Sequence, residues 1–206
     1  MKYLIICLIL FSALSAQNIY QVSPNTLDNE IILTVANESQ TLDVSQVSVK
    51  VIKHCDAVKF NQQSQVLENI AMGEELDAKF VFDILRSAPV NQRDTLKFLV
   101  QDEYGNTWDK EIILDFMPPK TFALEQNFPN PFNPVTTIRY QLPETAKVSL
   151  EIYNSIGQKV ATLVNKVQEA GYYDVHFNAS KLASELYVYR IKAGKYHSVK
   201  KMMVLK

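Results

Sequence analysis

Apolar and polar residues alternate with a period of two in several short segments of the first half of the chain. The alternation is regular in residues 47–51 and 80–84 and nearly regular in 96–100, and apolar runs occupy 31–35 and 112–114. Turn-forming residues separate these segments, and no stretch of ten or more residues has a helical period flanked by caps. Short strands at this spacing predict an antiparallel β-sandwich over residues 17–117.

The second half shows the same alternation. The segments predicted to be strands are 136–142, 147–153, 159–164, 172–177, 186–191 and 196–199. Gly157, Gly171 and Gly194 lie between them at positions expected for turns. Six or seven strands in this length predict a second small sandwich over residues 118–206. The fold class is therefore all-β, with two tandem antiparallel β-sandwiches.

A proline pair and a change in charge mark the boundary between the predicted domains. Pro118 and Pro119 cannot donate backbone hydrogen bonds to a sheet and favour an extended connection. Residues 17–117 contain 8 Lys and Arg against 16 Asp and Glu, whereas residues 118–206 contain 12 against 6. The two domains thus carry net charges of opposite sign, which indicates different surroundings.

The first 16 residues have the pattern of a secretory signal peptide. Lys2 precedes an apolar run over residues 3–14, and the small residues Ser15 and Ala16 follow; the pattern leaves open which of these two precedes the cleaved bond. The run is too short to span a bilayer comfortably, and no other long apolar run follows it. We expect an exported mature chain without a transmembrane segment. Cys55 would be its single cysteine, which excludes an intrachain disulfide.

Motifs for catalysis or metal binding are missing from the sequence. The three histidines, His54, His176 and His197, have no metal-ligand spacing, and no nucleophile elbow, phosphate loop or dinucleotide fingerprint occurs. Carboxylates on a scaffold of strands and turns more often form a solvated rim than an acid–base pair. We expect a protein that is not an enzyme and that has no cofactor and no metal.

Two features leave binding functions open. Tyr104 and Trp108 flank the turn at Gly105, so an exposed aromatic pair could stack on sugar rings, although a tryptophan in a sandwich more often lies in the core or at its rim. The basic C-terminus could attract nucleic acid. Export makes a partner in the secretion machinery or an anionic surface glycan the better expectation, and we predict no nucleic-acid partner.

The first half resembles the bacterial immunoglobulin-like modules of secreted proteins. The resemblance is carried by the break at residues 37–39, the strand at 47–52, the Gly73-Glu74-Glu75 turn before residue 80, and Ala88-Pro89 before the strand at 96–100. It implies a spacer or binding module, and it does not specify a ligand.

The second half resembles the C-terminal sorting domain of type IX secretion cargo, a family of Bacteroidetes and their relatives, from about residue 122 to 206. Ten ordered motifs carry the resemblance, beginning with Asn130-Pro131-Phe132-Asn133-Pro134 and ending with Lys200-Lys201-Met202. The residues assigned to the sorting signal are Asn130, Pro131, Phe132, Asn133, Pro134, Gly157, Gly171, Tyr172, Gly194, Lys200, Lys201 and Lys206. Glu185 departs from the family, which usually has glycine after Leu-Ala-Ser; if that position has positive φ, Glu185 is strained by about 1 kcal/mol.

The resemblance implies export across both membranes to the outer cell surface or the medium. Its partners would be the type IX outer-membrane translocon and a sortase, which removes the domain as the cargo is released or joined to anionic lipopolysaccharide. A basic terminal strand can add to a partner's sheet edge; alternatively, Met203 and Leu205 only close the sandwich. Phe128 and Phe132 are expected to anchor the proline-rich segment.

Two other functions remain open: a scaffold resembling the immunoglobulin-like part of flagellar hook-capping proteins, and a carbohydrate-binding module.

Overall fold

The computed structural model describes residues 3–8 and 19–206, and this part of the chain is built from strands and contains no helix. The chain divides between Met117 and Pro118 into two compact units. Most of the predicted signal peptide, including both candidate cleavage bonds, lies outside the described residues. Residues 3–8 form β1.

The first unit is a sandwich of two sheets. A four-stranded sheet has the order β1-β3-β7-β5, and a five-stranded sheet has the order β2-β9-β8-β4-β6. The strands are β1 (Tyr3–Leu8), β2 (Ile19–Val22), β3 (Thr26–Ala36), β4 (Val44–Lys53), β5 (Val58–Phe60), β6 (Ser64–Ile70), β7 (Glu75–Ile84), β8 (Arg93–Asp102) and β9 (Thr107–Phe116). All pairings are antiparallel except those of β1 with β3 and of β2 with β9, which are parallel.

The core of the first unit follows from the alternation in its strands. Alternate residues of β8 and β7 point inward, so Phe98 and Phe80 are fully buried, with ring centroids 5.2 Å apart. Phe60 packs edge-on against both rings. Burial of these aromatic side chains is the main favourable term available to a domain with no disulfide.

Four strands of the first unit were not predicted as strands: β1 lies in the predicted signal peptide, β2 has only four residues, and β5 and β6 have sequences that are short or polar. β5 has three residues, and β6 buries only Leu67 and Ile70. The side chain of Gln65 in β6 accepts a hydrogen bond from the backbone N–H of Lys79 in β7 (3.0 Å) and also donates to the carbonyl of Lys79. This amide joins the edge of one sheet to the other sheet, a contact that does not depend on hydrophobic periodicity.

The second unit, Pro118–Lys206, is a smaller sandwich. A three-stranded sheet has the order β10-β11-β14, and a four-stranded sheet has the order β13-β12-β15-β16. The strands are β10 (Ala123–Leu124), β11 (Val135–Leu142), β12 (Ala146–Tyr153), β13 (Lys159–Gln168), β14 (Gly171–Asn178), β15 (Leu186–Ala193) and β16 (Tyr196–Met203). Each of the six predicted segments lies in a strand, and β10 is the seventh strand.

Large tyrosines fill the core of the second unit. Tyr140 and Tyr189 are fully buried, and each hydroxyl group has a polar partner. The Tyr140 hydroxyl donates to Gln168 Oε1 (2.7 Å), and the Tyr189 hydroxyl donates to the carbonyl oxygen of Glu125 (2.8 Å). Burial raises the pKa of both tyrosines to about 12, so both hydroxyls stay protonated and can donate these bonds.

Candidate functional site

The proline-rich segment and the C-terminus, which are far apart in sequence, lie side by side in the second unit. We call residues 126–134 the proline loop and residues 200–206 the tail. The N–H of Phe132 donates to the carbonyl of Met203 (3.0 Å), and the N–H of Leu205 donates to the carbonyl of Phe132 (3.0 Å). Phe132 and Val204 thereby form a parallel β-bridge. The loop acts as a short strand beside the last residues of the chain.

Side chains of the proline loop add further bonds to the backbone of the tail. Asn130 Oδ1 accepts the N–H of Met203 (2.9 Å), and Gln126 Nε2 donates to the carbonyl of Lys201 (2.7 Å). From the other side, the carbonyl of Glu185 accepts the N–H of Val204 (3.1 Å). The tail is thus held on both sides from Lys201 to Leu205.

Asn127 fixes the conformation of the proline loop from inside. Its side chain is almost fully buried, and its Nδ2 donates to the carbonyl of Pro129 (3.0 Å) and to Thr136 Oγ1 (2.9 Å). Its own N–H donates to the Tyr189 hydroxyl (2.9 Å). The peptide bonds before Pro129 and Pro131 are cis. The Tyr189 hydroxyl lies 62 residues away from Asn127 in sequence, so the loop conformation depends on a long-range contact.

The prediction that both phenylalanines anchor the loop is correct for one of them. Phe132 is 2% exposed and packs edge-on against Phe177, with ring centroids 6.2 Å apart. Phe128 is 76% exposed, so its predicted anchoring role is wrong. Two backbone hydrogen bonds with Thr137, both 3.0 Å, hold Phe128 in place and direct its side chain to solvent.

The residues of the tail that close the core are also not Met203 and Leu205, as the sequence suggested. Met202 and Val204 are fully buried, whereas Leu205 is 50% exposed and Met203 is half-buried. The strand register explains which residues of the tail point inward. Met202 is paired with Tyr187, whose side chain points into the core. Cross-strand partners point to the same face, so Met202 must point inward as well.

The other predicted signal residues occupy several places in the second unit. Gly157 and Gly194 lie in the turns β12–β13 and β15–β16 with φ of 80° and 54°, a conformation that favours glycine. Gly171 begins β14, and the half-buried Tyr172 follows it. Asn133 is exposed, and the carbonyl of Pro134 accepts the N–H of Ala179 (2.8 Å). The three glycines and Tyr172 thus lie outside both paired segments, whereas Asn133 and Pro134 belong to the proline loop itself.

Glu185 is not strained. It is not among the residues with positive φ, so the strain considered for a family glycine does not arise in this chain. Its carboxylate accepts a hydrogen bond from Ser155 Oγ (3.0 Å), and its carbonyl holds the tail. We call the place where the proline loop pairs with the tail the loop–tail junction. Glu185 thereby links this junction to the turn that contains Gly157.

The three predicted lysines differ in exposure. Lys201 and Lys206 are exposed, and Lys200 is half-buried on the core-facing side of β16. β16 is the last strand of its sheet, and β15 is its only neighbour in the strand order. An inward-pointing charge on such an edge discourages uncontrolled pairing with other chains.

A polar network covers the outer face of the same sheet. Glu151 accepts hydrogen bonds from Tyr153 (2.7 Å), Arg190 (2.9 Å) and Lys159 (3.2 Å), and the Arg190 guanidinium lies 4.7 Å from the centre of the Tyr153 ring. These bonds, with that of the Tyr153 hydroxyl as the largest cause, lower the pKa of Glu151 to about 2. Glu151 is therefore ionised over the physiological range.

The predicted aromatic pair lies in the first unit, at one end of its sandwich. Tyr104 is 63% exposed in the β8–β9 turn, and Trp108 in β9 is half-buried against the core. Both line a groove of about 550 Å³. Its opposite wall is the segment 37–42 after β3, which sequence analysis did not connect with these aromatics.

The described residues hold no cluster of three or more His, Cys, Asp or Glu side chains that could bind a metal ion. His54 instead bonds the carbonyl of Cys55 and the side chain of Gln63. Burial raises the pKa of the Cys55 thiol, which disfavours the reactive thiolate. Over residues 3–8 and 19–206, no helix has the length and apolar character to cross a membrane.

A family model described as the secretion system C-terminal sorting domain matches residues 126–205. This match begins in the proline loop and ends in the tail. The second unit is thus a sorting domain of this family, which marks the chain for type IX export to the cell surface or the extracellular space.

Solved structures similar to the chain share little sequence with it. PorU from Porphyromonas gingivalis has 14% identity and a TM-score of 0.35, with 94% of this chain and 19% of that chain covered. The chain thus spans about a fifth of the length of PorU. A putative carbohydrate-binding protein from Bacteroides ovatus has 9% identity and a TM-score of 0.35, with coverages of 90% and 66%. No curated protein matches the chain.

Replacement of Asn127 should destabilise the sorting domain. Asn127→Ala removes the donor to the Pro129 carbonyl and to Thr136 Oγ1 and should lower the free energy of unfolding by about 1–3 kcal/mol, because the buried Thr136 oxygen loses its donor and the Pro129 carbonyl keeps only its bond from Thr136. The matched control is Asn133→Ala, which changes an exposed asparagine of the same loop and should have an effect below about 0.5 kcal/mol. Urea denaturation measures both. Equal midpoints for the two variants would contradict the role of Asn127.

The Glu151 network should contribute to stability at neutral pH but not in strong acid. The pKa of Glu151 in the folded state, about 2, lies below its ordinary value of 4.5, so its ionised form stabilises the fold above pH 4.5. This contribution disappears as the pH falls from 4.5 towards 2. Glu151→Gln should cost about 1 kcal/mol at pH 7 and much less near pH 2. Thermal unfolding across this range, with the exposed Glu144→Gln as control, tests the expectation; a pH-independent cost would refute it.

Proposed function

We propose that the chain is a type IX cargo whose loop–tail junction is the surface read by the outer-membrane translocon, and that its first unit is a non-catalytic immunoglobulin-like passenger. The observation that supports this proposal best is the pairing of Phe132 with Val204. It joins the first and last motifs of the sorting signal into one surface. A partner that binds there contacts both ends of the domain only when the domain is folded.

The junction offers the contacts that a recognition surface needs. Phe128 presents an exposed aromatic side chain on a backbone that is already fixed, so little conformational entropy is lost when a partner covers it. Lys201 and Lys206 are exposed in the tail and can steer an acidic partner. Among the described strands, β15 alone pairs with residues 196–200 of β16, so a partner strand can add to this part of its edge.

Export of a reporter protein tests which residues of the sorting domain the translocon recognises. Residues 118–206 fused behind a periplasmic reporter should carry it to the surface or medium of a type IX-competent host. Phe128→Ala should reduce the exported fraction severalfold while the domain stays folded, since it removes an exposed contact. The matched control is Val167→Ala, an apolar residue of comparable exposure (66% against 76%) on β13, in the other sheet from β11, with which Phe128 pairs.

Two outcomes would count against the proposal. A reporter that stays in the periplasm with the unaltered domain would refute its role as an export signal. Export that is unchanged by Phe128→Ala and by deletion of residues 200–206 would place the recognition surface elsewhere. Circular dichroism of each purified fusion confirms that the domain is folded.

Removal of the sorting domain by a sortase is the second part of the proposal. Residues 117–122 lie between β9 and β10, outside any strand, and Lys120 and Thr121 are exposed. A protease can bind such a segment in an extended form without opening either core. The freed end of the passenger could then be released or joined to anionic lipopolysaccharide.

Intact-mass spectrometry of the extracellular protein tests this part. We expect a species that begins at residue 16 or 17 and ends within residues 117–122, with any attached lipopolysaccharide as added mass. Cells that lack the sortase serve as control and should retain residues 118–206. An extracellular protein that keeps this domain in the presence of the sortase would contradict the proposed cleavage, and would fit a permanent scaffold instead.

A further inference from the structure

The first sandwich has a groove at one end that the export function does not use. Its volume is about 550 Å³, and it is open at the surface. One wall is the β8–β9 turn with Tyr104, the other is the segment 37–42, and Trp108 lies against the core between them. We propose that this groove binds a sugar unit of a neutral extracellular glycan. The proposal is independent of how the chain is exported.

Hydrogen bonds fix the wall that carries Tyr104. Asp102 Oδ1 accepts the N–H groups of Tyr104 (3.0 Å) and Asn106 (2.8 Å), and its Oδ2 accepts Asn106 Nδ2 (2.7 Å). Glu103 accepts bonds from the backbone N–H of Ser45 (2.9 Å) and from its hydroxyl, which join the turn to β4. These bonds with Ser45 lower the pKa of Glu103, so the joining carboxylate is ionised at neutral pH.

The opposite wall is fixed by a buried asparagine. Asn37 is 7% exposed, and its Nδ2 donates to the carbonyls of Leu42 and Ile70, both at 3.0 Å. Its Oδ1 accepts the N–H of Ser39 (3.0 Å), and Ser39 Oγ accepts the N–H of Leu42 (3.0 Å). Both walls therefore hold their shape without a ligand, which lowers the entropic cost of binding.

The lining suits an amphipathic ring. The C–H face of a pyranose packs on aromatic and aliphatic surface, and Tyr104, Leu42 and Trp108 supply such surface. Sugar hydroxyls need acceptors and donors at the rim, and Glu38 and Asn106 provide them. Among the described residues no protein acceptor takes the indole N–H of Trp108, so this donor can bond a hydroxyl.

Charge decides between classes of glycan. Residues 17–117 carry 16 acidic against 8 basic residues, and Glu38 and Asp102 lie at the groove itself. This field repels uronic acids, sulfated sugars and phosphorylated sugars. The ligand class is therefore neutral glycan, which distinguishes this site from any contact of the exported protein with anionic lipopolysaccharide.

Trp108 makes the proposal directly testable, because it is the only tryptophan of the chain. The purified protein is titrated with laminarin, xyloglucan and galactomannan as neutral probes and with alginate and polygalacturonate as anionic ones. Tryptophan fluorescence and affinity gel electrophoresis give two readouts. We expect at least one neutral glycan to shift the emission and retard the protein, and neither anionic glycan to do so.

Two exposed residues give a matched pair of variants. Tyr104→Ala should weaken binding about five- to tenfold, because it removes one stacking ring without touching the core. Val167→Ala changes a residue of the sorting domain that is as exposed as Tyr104 (66% against 63%) and should bind as the unaltered protein does. Tyr104 is used instead of Trp108 because the half-buried indole packs on the core, so its loss could unfold the domain.

Three results would overturn the proposal. The first is no response to any of the three neutral glycans. The second is equal affinity of the unaltered protein and Tyr104→Ala, which would place binding outside the groove. The third is binding of the anionic glycans alone, which would refute the charge argument and the ligand class together.

Discussion

The sorting domain depends on the bridge between Phe132 and Val204. The backbone of the tail is paired with the proline loop, and Met202 and Val204 are fully buried. The prolines in turn leave the loop with few N–H groups of its own, so its carbonyls and side chains are free to bond the tail. Each segment supplies the partners that the other lacks.

Hydrophobic alternation was enough to predict the longer strands with one buried face, and it failed for short or polar strands and where long-range pairing decides the outcome. Six segments of the second unit were found because a buried face repeats every two residues. The sequence did not show which residues of the tail point inward. Residues 202–205 are four consecutive apolar residues, so either 202 and 204 or 203 and 205 could face the core. Its pairing with β15 settled the choice. Phe128 was misassigned for a related reason: the backbone bonds to Thr137 set the direction of its side chain.

The groove of the first unit could be predicted only in part. The spacing of Tyr104 and Trp108 around Gly105 indicated two aromatics at one turn, which is local information. The second wall is set by Asn37, whose side chain bonds a carbonyl 33 residues away. The pattern of apolar and polar residues does not indicate such a contact. The sequence around a buried asparagine between two strands looks the same as that of an exposed turn. β6, which contributes Ile70 to this region, is also too polar to be recognised as a strand.

Opposite charge in the two units is consistent with the separate tasks proposed for them. A basic sorting domain and an acidic passenger each favour a different class of partner through long-range fields, and both fields act before any contact is made. Because each unit has its own core, the passenger keeps its groove when the sorting domain is removed. Cleavage between the units would therefore change the net charge of the released protein from nearly neutral to strongly acidic. If both proposals hold, the loop–tail junction acts during export and the groove of the first unit acts afterwards, so the two surfaces need not act at the same time.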